Sequence, residues 1–80
     1  MSELVLLSKP GCRLCQQMKA AIAPVVEELG LRLVERDVRD DPASRARWER
    51  DIPVLLRDGV ELARHRTTAD ALRARLAATG

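Results

Sequence analysis

An apolar run that is broken at once and followed by a helical pattern limits the folds open to this chain. Residues 4–7 (Leu-Val-Leu-Leu) are uninterrupted apolar positions, as is typical of a strand buried on both faces. Residues 9–11 (Lys-Pro-Gly) end that run. Apolar residues then recur at helical spacing over residues 13–29, and Gly30 is a natural helix end. A strand that leads directly into an amphipathic helix is therefore predicted, and Pro24 is expected to kink that helix or split off its last turn.

A second strand and a short second helix follow in the pattern. Residues 31–38 alternate between apolar and polar positions and predict a strand. Asp41 and Pro42 form a good helix start, with aspartate as the cap and proline at the first helical position. The helix that we expect over residues 43–50 is short, and Trp48 is predicted to anchor it against the sheet.

The last third of the chain predicts a hairpin and a final helix. Residues 53–56 and 60–63 are short apolar segments, and the Asp-Gly pair at 58–59 between them is a strong hairpin signal. Thr67 and Thr68 are candidate caps for the last helix. We interpret the arginines of that helix as a solvated face.

The element order β-α-β-α-β-β-α predicts the fold class. The first βαβ unit requires a parallel strand pair with a right-handed crossover, and the hairpin adds antiparallel partners. The sequence therefore predicts an α/β protein with a four-stranded mixed sheet and helices on both faces. Its 80 residues form one domain, 1–80, because a chain of this length buries too little surface for two cores.

Composition excludes several classes of partner. The 14 basic and 12 acidic residues nearly balance, and Trp48 is the only aromatic residue, so we expect no nucleic-acid binding. No apolar run approaches the roughly 20 residues that span a bilayer, and we expect no membrane association. The start of the chain lacks the basic and long apolar segments of a signal peptide. We therefore expect a cytoplasmic location.

The two cysteines are the strongest candidates for chemistry. Cys12 and Cys15 lie directly after the first predicted strand, at the opening of the first helix. Residues three apart on a helix have Cα atoms roughly 5 Å apart, which lies within the range that a disulfide needs. Two cysteines cannot by themselves close a four-ligand zinc site, so we expect no metal site within one chain. One reversible disulfide is the prediction.

The surroundings of Cys12 favour a thiolate, which is the reactive form of cysteine. A helix start offers unpaired N–H groups and a positive dipole end. No acidic residue occurs between Glu3 and Glu27. The basic residues in that interval are Lys9, Arg13 and Lys19. We predict that Cys12 is the nucleophile, that Lys9 and Arg13 stabilise its thiolate, and that Cys15 is shielded and resolves the mixed disulfide.

Two segments of the chain resemble a known family. Residues 8–15 (Ser-Lys-Pro-Gly-Cys-Arg-Leu-Cys) and 51–55 (Asp-Ile-Pro-Val-Leu) are similar to motifs of the glutaredoxin-like branch of the thioredoxin superfamily, most closely its small bacterial members. The resemblance implies a thioredoxin fold and dithiol exchange by the cysteine pair. It also implies that Pro53 is the superfamily's cis-proline beside the cysteines and that Ile52 presents its backbone to the substrate.

The chain departs from the family at the positions that bind glutathione. Typical glutaredoxins carry a Gly-Gly-x-Asp stretch before the last helix, whereas residues 64–70 here contain no glycine and only Asp70 matches loosely. The resemblance names glutathione as a candidate partner, and this departure argues against it. We expect no required cofactor and a monomeric chain. The partners expected are a disulfide-containing protein or small thiol and a reductant that the sequence does not identify.

Two alternatives remain open from the sequence. Some glutaredoxins hold an iron–sulfur cluster at a dimer interface, and Cys12 could bind such a cluster or a metal if a second chain or a small thiol supplied the other ligands. Alternatively, the domain could be an interaction scaffold whose thiols are inert. An ordinary Cys12 pKa near 8.5 would favour the scaffold.

Overall fold

Four strands form one mixed sheet. They are β1 (Glu3–Ser8), β2 (Arg32–Asp37), β3 (Val54–Arg57) and β4 (Val60–Arg64). Their order across the sheet is β2-β1-β3-β4; β1 is parallel to β2 and antiparallel to β3, which is antiparallel to β4. This computed structural model describes residues 3–79. Met1 and Ser2, which begin the segment that lacks signal-peptide features, lie outside the described residues, as does Gly80.

Helices cover both faces of the sheet, as the sequence predicts. They are α1 (Arg13–Glu28), α2 (Pro42–Trp48) and α3 (Ala69–Thr79). The alternation of β1 sends Leu4 and Leu6 into a core shared with α1 and α3, and sends Leu7 into a second core beneath α2. The predicted α/β class, element order and four-stranded mixed sheet are confirmed. Within residues 3–79, no helix combines the length and apolar character needed to cross a membrane.

The short helix α2 begins and packs as predicted. Asp41 is its cap, and one oxygen of that carboxylate accepts the Ser44 N–H at 3.1 Å. Pro42 occupies the first turn, where its missing N–H is not needed. Trp48 is buried in the core beneath α2, beside Val38. The predicted anchor is therefore confirmed.

Three local expectations need correction. α1 continues through Pro24 to Glu28, so its last turn is not split off; the flanking Ile22 and Val25 are fully buried and hold the helix together. The strand expected over residues 31–38 spans only Arg32–Asp37, and Val38 instead begins a short 3₁₀ helix, Val38–Asp40, before α2. Arg73 does not belong to a purely solvated face.

Arg73 connects the two helices on one face of the sheet. Its guanidinium donates to both oxygens of the Glu28 carboxylate, at 3.0 and 3.1 Å, and to Asp70 at 2.9 Å. Glu28 lies in the last turn of α1 and Arg73 in α3. The side chain therefore links α3 to α1, which the sequence pattern did not indicate.

The strand register defines two ends of the sheet. At one end Ser8 faces Asp37 and Val54 faces Arg64, so β1, β2 and β4 finish where β3 begins. We call this the cysteine end, because the chain leaves β1 there toward Cys12. The opposite end contains the turn between β3 and β4, and we call it the hairpin end.

Candidate functional site

The cysteine pair lies where β1 gives way to α1. The Sγ atoms of Cys12 and Cys15 are joined as a disulfide, and their Cα atoms are 5.2 Å apart. Cys12 is the cap of α1, and its Sγ accepts the Cys15 N–H at 3.1 Å. The predicted position of Cys12 among the free N–H groups of the helix start is thus observed. Hydrogen bonding of this kind favours the thiolate of a reduced cysteine.

The two cysteines differ sharply in exposure. Cys12 is half-buried, whereas Cys15 is 0% exposed. Arg13 and Leu14, which separate them, are exposed on the first turn of α1. A molecule arriving from solvent therefore reaches Cys12 and not Cys15. The predicted shielding of Cys15 is confirmed.

A tight turn places Lys9 beside Cys12. The Cys12 N–H donates to the Lys9 carbonyl at 3.3 Å, and the turn passes through Gly11 with a φ of +76°. Glycine adopts this left-handed conformation at little cost. The Gln16 N–H then donates to the Cys12 carbonyl at 3.2 Å and continues the helix. The backbone of Cys12 is therefore bonded on both sides.

The strand β2 supplies carboxylates near the basic residues of this region. The Lys19 ammonium donates to Glu35 at 3.1 Å. Lys9 lies close enough to Asp37 to help lower the pKa of that carboxyl. The absence of acidic residues along the chain from Glu3 to Glu27 thus overstates the positive charge. Within residues 3–79, neither Lys9 nor Arg13 forms an ion pair.

Both β2 carboxylates are firmly held. Hydrogen bonds from Lys19 and then Ser8 lower the pKa of Glu35. The Ser8 hydroxyl, on a residue only 5% exposed, donates to the second Glu35 oxygen at 3.0 Å. The Arg39 side chain and N–H lower the pKa of Asp37 to about 2. Both groups are consequently charged near neutral pH.

Pro53 and Ile52 reach the same end of the sheet as the cysteines. Val54 pairs with Leu7, so Pro53, one residue earlier, lies at the cysteine end. The peptide bond between Ile52 and Pro53 is cis, which is the conformation that the resemblance implies. The Pro53 carbonyl accepts the His65 N–H at 2.8 Å. That Ile52 and Pro53 contact substrate stays a prediction.

A charged cluster beside Pro53 is absent from the sequence-based predictions. The Asp51 carboxylate lies 3.2 Å from the Arg64 guanidinium and 3.8 Å from His65 Nε2. Arg64 also donates to both oxygens of Glu61, at 2.7 and 2.6 Å. His65 has a φ of +65° and is exposed. The Asp51–Arg64 ion pair therefore joins the last residue of β4 to the segment that precedes Pro53.

The family of the chain follows from a comparison with known protein families. Residues 3–77 match the family described as Glutaredoxin-like domain (DUF836). The chain belongs to this glutaredoxin-like family. The resemblance found in the sequence motifs is therefore confirmed over nearly the whole chain. A search of curated proteins found none that matches this chain.

Solved structures agree on the fold. Target protein XcR50 from X. campestris is 29% identical, with a TM-score of 0.76 over 94% of this chain and 96% of that one. Thioredoxin-2, a component of the malaria parasite protein secretion machinery, is 16% identical (TM-score 0.71; 98% and 82% covered). Thioredoxin 1 from Thermosipho africanus is 15% identical (TM-score 0.60; 96% and 97% covered). The two thioredoxins show that the glutaredoxin-like domain has a thioredoxin fold.

The fold and the cysteine pair together support a redox role. No group of three or more histidine, cysteine or acidic side chains is placed to hold a metal ion within residues 3–79. An iron–sulfur cluster or metal ion bound by Cys12 would therefore need further ligands from a second chain or a small thiol. The pair can form a disulfide without any such ligand.

A polar pocket next to the cysteines was also absent from the predictions. It has a volume of about 260 Å³. Its lining residues are Ser8, Lys9, Pro10, Gln16, Glu35 and Asp37. The only signal in the sequence was that Glu35 alternates with Leu33 and so shares its strand face. The pocket arises because the parallel register sets Ser8 opposite Asp37.

Proposed function

We propose that the glutaredoxin-like domain is a thiol–disulfide oxidoreductase, with Cys12 as its nucleophile and Cys15 as its resolving cysteine. The observation that carries the proposal is the asymmetry of the pair. Cys12 is accessible and its sulfur accepts a helix N–H, whereas Cys15 is fully buried one turn further along. A thiolate is favoured at the first position, and solvent is excluded from the second.

The reaction proceeds by two exchanges. The Cys12 thiolate attacks one sulfur of a substrate disulfide, forms a mixed disulfide, and releases the other sulfur as a thiolate that takes a proton from water. Cys15 then loses its proton to water and attacks the Cys12 sulfur, which releases the second substrate thiolate. Two electrons pass to the substrate, and the Cys12–Cys15 disulfide forms.

The neighbouring residues fit supporting roles in this scheme. Lys9 and Arg13 carry positive charge within one turn of Cys12 and form no ion pair within the described chain, which favours the thiolate. Ile52 and Pro53 lie at the cysteine end, where the backbone could align a substrate. A dithiol, or two equivalents of a monothiol, returns the pair to its reduced form.

The proposal extends to partners and location. We propose a disulfide-containing protein or small disulfide as substrate, no required cofactor, and action as a single chain. A reducing compartment such as the cytoplasm suits a chain whose two cysteines form only this pair, because an exchange enzyme there is continually re-reduced.

A single-turnover experiment tests the mechanism. The reduced, desalted protein is mixed with the neutral disulfide of 2-mercaptoethanol, and thiols are counted. We expect one intramolecular disulfide per chain and two equivalents of 2-mercaptoethanol. The Cys15→Ser variant should instead stop with 2-mercaptoethanol attached to Cys12, which peptide mass spectrometry detects. Failure of the wild-type pair to close would exclude the dithiol mechanism.

A measurement of the reduction potential tests the proposed direction of exchange. We expect a value between about −270 and −200 mV, the range spanned by thioredoxin and glutaredoxins. It is measured by equilibrating the protein with thiol buffers of known ratio. A value near −120 mV is that of a strong oxidant, and would contradict the proposed reductive direction and compartment.

A further inference from the structure

The polar pocket beside the cysteines has the size of a small substrate group. Its volume of about 260 Å³ is below the roughly 300–1,000 Å³ that is usual for drug-sized ligands. It can hold the end group of a small molecule. The pocket opens on the β2 side of Cys12, away from Pro53, which follows from the strand order β2-β1-β3-β4.

One wall of the pocket carries two carboxylates that can accept hydrogen bonds from a cation. Glu35 and Asp37 are alternate residues of β2, so both side chains lie on the face of the sheet that α1 covers. Both carboxylates are charged and held by neighbours, since Ser8 and Lys19 fix Glu35, and Arg39 fixes Asp37. Each carboxylate retains lone pairs for a further donor.

The other wall supplies donors. Within residues 3–79, the Lys9 ammonium forms no hydrogen bond or ion pair, and neither does the Gln16 side-chain amide. The backbones of these two residues are bonded to Cys12 on either side. Their side chains therefore form the wall of the pocket that belongs to the same chain segment as Cys12.

We propose that this pocket is a substrate subsite for an α-amino-acid end group of a small disulfide. The ammonium of that group binds between Glu35 and Asp37, and its carboxylate binds Lys9 and Gln16. The proposal rests on the proposed oxidoreductase function and names its substrate class. A purely anionic group would face the two carboxylates, and a purely cationic group would face Lys9, so only a group with both charges satisfies both walls.

A panel of disulfides tests this recognition. The reduced protein is mixed in single turnovers with L-cystine, with cystamine, which lacks the carboxylates, and with 3,3′-dithiodipropionate, which lacks the ammonium groups. The neutral disulfide of 2-mercaptoethanol is the reference. Each rate is divided by the rate of the same disulfide with dithiothreitol, which removes differences in intrinsic reactivity.

We expect the corrected rate for cystine to exceed those of both singly charged analogues by roughly three- to fivefold, the factor of one exposed ion pair.

Glutathione disulfide carries the same zwitterion further from its sulfur. If its corrected rate is raised as much as that of cystine, the subsite accepts a longer spacer between the zwitterion and the sulfur. If only the rate for cystine is raised, the subsite requires a short spacer. If either singly charged analogue equals cystine, the subsite does not bind a zwitterion and the proposal is overturned.

Two variants locate the effect in the pocket. Lys9→Met and Asp37→Asn should each lower the ratio of cystine to neutral disulfide by about threefold. Arg36→Met, on the opposite face of β2, and Asp40→Asn, outside the pocket, are the charge-matched controls that keep the ratio. An unchanged ratio in both pocket variants overturns the subsite.

The neutral disulfide of 2-mercaptoethanol distinguishes a failure of the subsite from a failure of the oxidoreductase function on which the subsite rests. If Lys9 acts only by stabilising the thiolate, its substitution lowers the rates of all disulfides together and leaves the ratio unchanged. If the neutral disulfide is not reduced at all, the oxidoreductase function itself fails, and the subsite fails with it.

Discussion

The two ends of the sheet are built in different ways. At the hairpin end, Asp58 and Gly59 both have positive φ angles, +52° and +79°, which suit the two-residue turns that match strand twist. Arg73 and Glu28 tie the neighbouring helices together there. At the cysteine end, irregular backbone follows β1 and β4, a 3₁₀ helix follows β2, and Ser8 is a buried polar residue beneath α1.

This difference separates stability from chemistry. At the hairpin end Arg73 pairs with Glu28 and Leu76 packs into the core, so these residues contribute mainly to the free energy of unfolding. The cysteine end keeps an accessible sulfur and the free donors of Lys9 and Gln16. Substitutions at the two ends should therefore change different measured quantities.

The largest expected effect is the loss of turnover in Cys12→Ser. Serine is a good helix cap, so the substitution keeps the start of α1 while it removes the nucleophile. We expect no reduction of the neutral disulfide, and we expect the urea unfolding free energy to match that of the reduced wild type. Turnover that survives in this variant would show that Cys12 is not the attacking group.

The second-largest effect is expected at the hairpin end, where a substitution should lower stability and leave the reduction rate unchanged. Leu76 is 7% exposed and belongs to the core beneath α1 and α3. Leu76→Ala should lower the free energy of unfolding by about 2–5 kcal/mol, because it leaves a cavity. The rate of disulfide reduction per folded molecule should stay unchanged.

Leu29 provides the matched control for that prediction. It lies near Leu76 at the hairpin end but is 50% exposed. Leu29→Ala should change the unfolding free energy by only about 0.5 kcal/mol or less. A fall in the reactivity of folded Leu76→Ala would mean that the two ends are coupled.

A smaller effect tests whether every residue at the cysteine end serves chemistry. The Thr68 hydroxyl accepts the Ala71 N–H at 3.1 Å and so caps α3. Thr68→Ala should cost about 1 kcal/mol of unfolding free energy and leave the reduction rate unaltered. Thr67→Ala is the control, since the Thr67 hydroxyl makes only a 3.5 Å contact with the Thr68 carbonyl. Equal losses in both variants would contradict the cap.

Local signals made much of this structure predictable. The spacing of Cys12 and Cys15 fixes their separation, since both lie on one helical turn. Asp58 and Gly59 mark the hairpin because few residue pairs accept two positive φ angles. Asp41 starts α2 through contacts within three residues. Each of these features depends on neighbours in the chain.

The features that were missed depend on distant contacts. The pairing of Lys19 with Glu35 spans 16 residues, and that of Arg73 with Glu28 spans 45. Only the strand register and helix packing bring such groups together, so a charge pattern along the chain does not reveal them. The polar pocket escaped prediction for the same reason, although its residues include the predicted Lys9.

The smallest expected effect is a dependence of stability on acidity at the cysteine end. The folded pKa of Asp37 is about 2, below its ordinary value of 3.8, chiefly because of the Arg39 hydrogen bond. The unfolded chain therefore binds the proton more readily. The stabilisation by Asp37 is complete above about pH 4 and is lost as the pH falls toward about 2.

Urea unfolding at pH 5 and at pH 2.5 checks this dependence. Asp37→Asn should lose less stability between the two pH values than the wild type does, whereas Asp40→Asn serves as the charge-matched control. The difference should shrink in 1 M salt, because the Asp37–Arg39 pair is partly exposed and screening there acts within about 3 Å. A wild-type pH slope in Asp37→Asn would mean that the Asp37 carboxylate does not stabilise the folded chain.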